Sequence, residues 1–183
     1  EIAVNNPGDV EFDEIQNSSL DIATPLAILH ESQDGRWLYV WSPTSDGWIK
    51  KADVIICTLA DIKNYLEQAS FAVIVSPKAD IYLDPALTGY FDYARMGSIF
   101  PASKDINAKT VQITIPFQDE KGAFVLRTAY VAGENVHLGF LPYTPRNIIG
   151  QAFKLLNMPY GWGGAHGEQD CSSFLQEVFA TVG

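Results

Sequence analysis

Cys171 opens the segment DCSSFLQEVFATV, in which Phe174, Leu175, Val178 and Phe179 recur at helical spacing. Asp170, just ahead of it, is of the residue type that caps a helix by accepting from its first free N–H groups. A thiol in the first turn of a helix meets those unpaired N–H groups and the positive end of the dipole, which favour thiolate, the nucleophilic form. A cysteine on an apolar helix face can equally be a small buried hydrophobe. The loop in front argues for chemistry. YGWGGAHGEQ carries Gly161, Gly163, Gly164 and Gly167, which permit close backbone approach to a ligand, beside the aromatic pair Tyr160 and Trp162, while Asp170 and Ser172 flank the thiol with polar groups. The second cysteine, Cys57, follows the apolar run VII and is expected to be buried and inert.

A cysteine nucleophile needs an imidazole within hydrogen-bond reach, oriented by a third polar group. His30 and His137 fall in β-rich runs and read as ordinary strand residues. His166 precedes Cys171 by five residues, but nothing beside it in sequence would orient it. No base is therefore assigned in this chain. Nor is a metal or cofactor expected: His166, Asp170 and Cys171 would be clustered but unsupported ligands for a metal hydrolase.

The elements that must position Cys171 follow from the pattern upstream. Thr144 can cap a helix whose first residue is Pro145, with Ile148, Ile149, Ala152, Phe153, Leu155 and Leu156 as its apolar stripe, until Met158 and Pro159 stop it. Before that the period is two. TPLAILHES, WLYVWS and WIKKADVI are separated by QDGR and PTSDG and read as hairpins of a small antiparallel barrel; Trp37 and Trp41 share a strand face, and one or both are expected in its core rather than on a binding surface. ADIKNYLEQA places Ile62, Tyr65, Leu66 and Ala69 at helical spacing, and residues 71–142 form a second β-region dense in β-branched and aromatic residues. Residues 1–20 are polar and without period.

With 47% hydrophobic and 19% charged residues the chain is folded, not disordered. A net charge of −10 without any basic run speaks against nucleic acid, and no apolar run reaches the ~20 residues of a membrane span. The chain starts at Glu1 rather than Met and carries its strongest motif close to Gly183, so a piece cut at both ends is expected.

NMPYGWGG followed by Cys171 in DCSSFL resembles the NlpC-type family of papain-like cell-wall cysteine peptidases, whose motif is a Pro-Tyr, Trp-Gly-Gly loop followed by Asp-Cys-Ser at a helix start. TPLAILHESQDGRWLYVWSPTSDGWIKKADV resembles the bacterial SH3-like domain that precedes the catalytic domain in multidomain members, and 71–142 is similar to a second one. Ser173, where many members have Gly, and His166 depart from the pattern. The resemblance implies a mostly β chain: a lead-in over 1–20, SH3-like barrels over 21–58 and 71–143 joined by a linker helix over 59–70, and the N-terminal helical part of a papain-like α+β domain over 144–183. It implies that Cys171 attacks a peptide bond next to D-glutamate in peptidoglycan stem peptides, of the γ-D-glutamyl-diamino acid type, through an acyl-enzyme. Tyr160, Asp170 and Ser172 would hold the substrate's amino end. The histidine and its orienter would lie downstream of Gly183, leaving residues 1–183 inactive alone, and the location would be the bacterial cell envelope, periplasmic or secreted. The alternative is a non-catalytic SH3-like module that binds peptide or cell wall through surface aromatics such as Trp41, Trp48 and Tyr82.

Overall fold

The computed structural model describes residues 13–103 and 109–183. Of the lead-in expected over 1–20, the first twelve residues lie outside the described residues, as do 104–108 of the second β-region.

Three antiparallel strands, β1 (Ala27–Glu31), β2 (Trp37–Trp41) and β3 (Asp46–Lys50), form the first sheet in the order β1-β2-β3. Its turns follow from local chemistry. Asp34 accepts from Ser32 and Arg36 at the first turn, and Ser42 Oγ accepts from the N–H groups of Thr44 and Ser45 at the second. Alternation along β2 buries Leu38 and Val40 and turns Trp37 and Trp41 outward, at 38% and 64% exposure. This corrects the expectation that one or both of these tryptophans form core. Both faces of β2 are apolar in sequence, and the packing partners choose the smaller aliphatic face.

A capping box between Thr58 and Asp61 starts α1 (Leu59–Leu66). The helix docks through Tyr65, which is buried and donates from its hydroxyl to the Thr114 carbonyl at 3.0 Å; burial pushes this phenol well above its ordinary range. Cys57, just ahead of α1, is half-buried rather than buried, and partial burial with Asp61 nearby raises its thiol. The apolar run before it, Val54–Ile56, leaves Ile56 exposed, so the thiol stands at the edge of the covered surface.

The second β-unit consists of two sheets. One has the order β10-β4-β7, with β4 (Phe71–Ile74), β7 (Ile99–Pro101) and β10 (Val136–Leu138). The other has the order β6-β5-β9-β8, with β5 (Lys78–Tyr82), β6 (Tyr90–Arg95), β8 (Thr110–Gln118) and β9 (Phe124–Ala132). An Ala102–Ile113 bridge links the two. Between them lies the main core of Ala72, Ile74, Ile81, Phe100, Val111, Ile113, Ile115 and Val131, each at most 1% exposed. The period-two pattern of β8 puts Val111, Ile113 and Ile115 on that face.

Helices α2 (Pro145–Lys154) and α3 (Cys171–Ala180) close the described chain. Thr144 caps α2 by accepting from the Asn147 N–H at 3.2 Å, with Pro145 in its first turn. Leu155, Val178 and Met96 of the second β-unit form a small core between α2, α3 and the β6–β7 turn, with Ile148, Ala152, Met158 and Phe174 packed on it. The expected stripe of α2 is divided: Ile148, Ala152 and Leu155 face this core, whereas Ile149, Phe153 and Leu156 are exposed. The fold is thus mostly β, with an SH3-like unit first and the helices after it.

Candidate active site

Cys171 is exposed and is the first residue of α3. Asp170 caps the helix, and all four of its side-chain bonds converge on Oδ1. The N–H groups of Ser172 and Ser173 donate to it at 3.0 and 2.7 Å, and their hydroxyls at 2.8 and 2.9 Å. Ser173 returns the bond by accepting from the Asp170 N–H at 2.8 Å, which completes a capping box. Partial burial pushes the Asp170 carboxyl up, but the bonds from Ser173 and Ser172 outweigh it and hold the group below its ordinary value.

Tyr160 reaches the thiol through the loop. Its strand-like bridge to Gln169, supported by the Gly161 N–H donating to the Gln169 carbonyl at 3.0 Å, folds the loop back on itself. Desolvation, followed by the nearby charges of Cys171 and Asp170, raises the Tyr160 phenol above its ordinary pKa, in keeping with a ring beside the start of α3. Tyr160, Asp170, Cys171 and Ser172 therefore stand together, the phenol and the Ser172 hydroxyl both exposed beside the sulfur's helix terminus. Ser173 departs from the family motif, and its place three residues after Asp170 is the sequence signal for the capping box.

The loop glycines make room for other parts of the chain. A β-carbon on Gly163 would collide with the Gln16 carbonyl oxygen, and one on Gly164 with the Ser19 hydroxyl, both at positive φ. The chain's own segment 13–21 lies against this backbone at Gly163 and Gly164. Gln16 Nε2 donates to the Gly163 carbonyl at 3.0 Å, and the Trp162 indole donates to the Asp13 carbonyl at 3.0 Å. Lys78 of β5 holds the loop from another side, bonded to the His166 carbonyl at 3.1 Å and paired with Glu168 at 2.5 Å. His166 is exposed, at φ 58°, and no hydrogen bond joins an imidazole to Cys171 among the described residues. His30 packs edge-on against Trp48, and His137 Nδ1 lies 3.0 Å from the Gly139 carbonyl. Among the described residues no group of three His, Cys, Asp or Glu side chains could hold a metal.

Residues 4–50 match the model of the SH3 domain of SH3b1 type. No curated protein matches the chain. Among solved structures, a novel NlpC/P60 endopeptidase from Photobacterium damselae subsp. piscicida shares 28% identity and a TM-score of 0.73 over 93% of this chain. An NlpC/P60 family protein from Bacillus cereus ATCC 10987 shares its fold over 87% of this chain, at 13% identity and a TM-score of 0.64. The chain is thus similar in fold to NlpC/P60 proteins over most of its length, and its residues 4–50 match an SH3 domain of SH3b1 type. It spans 36% of the length of the first of these chains and 53% of the second. The SH3b match begins at residue 4, inside the stretch read as lead-in, so Asp13, Gln16 and Ser19, which touch the Cys171 loop, fall within the matched SH3b segment.

The aromatics that the SH3-like reading offered as a binding surface divide between units. Trp41 and Trp48 are exposed on the first sheet, where Trp48 stacks edge-on against Tyr39, whose hydroxyl donates to Asp46. Tyr82 lies in β5, with its ring 6.3 Å from that of Tyr90.

Proposed function

We propose that this chain is the SH3-like and nucleophile-bearing part of a peptidoglycan peptidase, in which Cys171 attacks a stem-peptide carbonyl next to D-glutamate and forms an acyl-enzyme. Residues 21–58 and 71–143 are its two SH3-like domains, and 144–183 the first part of its papain-like domain. The observation that carries the reading is the exposed thiol at a capped helix start with Tyr160, Asp170 and Ser172 around it. The histidine that accepts the thiol proton belongs to the part of the protein beyond Gly183, and its setting is the cell envelope. No helix among the described residues is long and apolar enough to cross a membrane.

Asp170 also supports a specificity. Its four bonds fall on Oδ1, which leaves Oδ2 to face a cation. With the hydroxyls of Ser172 and Tyr160 beside it, this carboxylate suits an ammonium group, and the free amine of a short stem peptide supplies one. The contacts of Asp13 and Gln16 with the loop support a role of the SH3b segment as a wall of the site that limits the length of peptide beyond that amine. The test compares a free-amine stem peptide with its acetylated twin on the full-length protein. Losing one charge-assisted hydrogen bond is worth roughly 1.5–3 kcal/mol, so acetylation should lower catalytic efficiency by about tenfold to over a hundredfold. Equal rates would reduce Asp170 to a helix cap.

A second reading, a wall-binding module, is favoured by Trp41 and Trp48, at 64% and 52% exposure on one sheet. Loss of binding to isolated cell walls in Trp48→Ala, with peptide hydrolysis unchanged, would show that the first sheet serves this role as well.

A further inference from the structure

A buried charged cluster joins α3, the helix that Cys171 starts, to the rest of the chain. Arg95, at the end of β6, is 6% exposed and grips Asp21 with two bonds, from Nε at 2.9 Å and from Nη2 at 3.0 Å, while Nη2 also reaches the Ser19 carbonyl at 3.3 Å. Its Nη1 stands 3.3 Å from Oε1 of Glu177, a buried residue two turns along α3 from Cys171. That oxygen makes an ion-pair contact but no aligned hydrogen bond, whereas Oε2 accepts from Gln169 Nε2 at 2.8 Å. One guanidinium thus joins three pieces: the second β-unit, the segment 13–21 that presses on the loop glycines, and the helix that carries the nucleophile.

The neighbouring residues make the joint direct. Met96 packs against Val178 and Leu155. Gly97, at φ 86°, lies so close to α3 that a β-carbon there would meet the Ala180 side chain and, at 3.0 Å, the Glu177 carbonyl. Gln169, which holds Glu177, is also the residue whose backbone carries the bridge to Tyr160. A displacement of Glu177 is therefore transmitted to both sides of the thiol, through α3 and through the Tyr160–Gln169 bridge.

We propose that Arg95, Asp21 and Glu177 are the positioning residues of the Cys171 site, a three-part joint in which two carboxylates share one buried cation and the protonation of Glu177 sets how firmly α3 and its loop are seated. Rigid seating matters because a displacement of about 1 Å at a reacting group is enough to slow catalysis a hundredfold. The inference rests on the reading of Cys171 as nucleophile. The charges around Glu177 are Arg95 of β6, Asp21 of the 13–21 segment and Asp170 at the start of its own helix. Arg95 is already bonded twice to Asp21, so a second buried carboxylate is only partly compensated. Burial accordingly pushes the Glu177 carboxyl up to about 7, against the opposing effects of Gln169 and Arg95.

The full-length protein and its Glu177→Gln, Arg95→Met and Arg95→Lys variants are compared by three readouts: the rate of Cys171 alkylation by iodoacetamide against pH, kcat and KM on the free-amine stem peptide, and thermal midpoint. The wild type should show a step near pH 7 in its alkylation profile, in addition to the thiol's own titration, and Glu177→Gln should lose that step. Arg95→Met should lower kcat about tenfold to a hundredfold with KM changed less than about twofold, and Arg95→Lys, which keeps the charge but not the fork, should fall between. A step that persists in Glu177→Gln overturns the proposal. So does an Arg95→Met protein that melts lower yet keeps the wild-type kcat and alkylation profile, since its role would then be structural only. Should the wild type hydrolyse no stem peptide, the peptidase reading fails, while the alkylation profiles still decide on the joint.

Discussion

Asp170 illustrates how much of this site is local chemistry. A carboxylate before a helix, a serine three residues later and a thiol between them are all legible in DCSS, because capping depends on residues a few positions apart. Asp170→Ala should therefore lower stability by about 1–2 kcal/mol in a denaturant titration. The carboxyl is held below its ordinary 3.8, so its contribution is complete above that pH and is lost as pH falls through the lowered value. The two cysteines should also separate. Near neutral pH, Cys171, exposed at a helix start, should alkylate faster in folded protein than Cys57, whose thiol is raised by burial and by Asp61. Peptide mapping after brief labelling checks this; faster modification of Cys57 would contradict it. What residue types alone did not reveal was degree of burial. Trp37, Trp41 and Cys57 sit in apolar runs, yet their exposure is decided by which face of β2 and which end of the run finds a partner elsewhere in the chain.

At the scale of elements, hairpins and helices were readable where a period and a stop signal coincide. The β2–β3 hairpin, α1 with its capping box, α2 behind Thr144 and Pro145, and α3 behind Asp170 all follow such signals. Segment 13–21 has neither, and its importance comes from contacts with residues some 150 positions away, which no local pattern encodes. The conformational freedom of the loop glycines is legible in sequence, whereas the closeness of Gln16 to Gly163 and of Ser19 to Gly164 is not. Gly164→Ala tests that contact. Because its β-carbon would collide with Ser19, and its positive φ disfavours any side chain, the substitution should destabilise by about 1–3 kcal/mol and displace the loop. A thermal midpoint equal to wild type would mean that the 13–21 segment does not press on this loop.

Across the whole molecule, the Cys171 helix is fastened to the second β-unit by apolar packing at Met96 and by one buried cation at Arg95. The fastening carries a pH signature. In the folded chain Glu177 keeps its proton up to about pH 7, whereas in the unfolded chain it loses it near 4.5. Its contribution to stability is thus fully present below pH 4.5 and is lost as pH rises to about 7, a difference of about 3 kcal/mol at most. Glu177→Gln should flatten that fall in unfolding free energy measured from pH 4.5 to 8. The account as a whole depends on Cys171 being the nucleophile of a peptidase, and the direct measurement is hydrolysis of a free-amine stem peptide by the full-length protein and its Cys171→Ala variant. Turnover is expected from the wild type, with a loss of roughly 10⁴-fold or more in the variant. Turnover that survives the loss of Cys171 would contradict it.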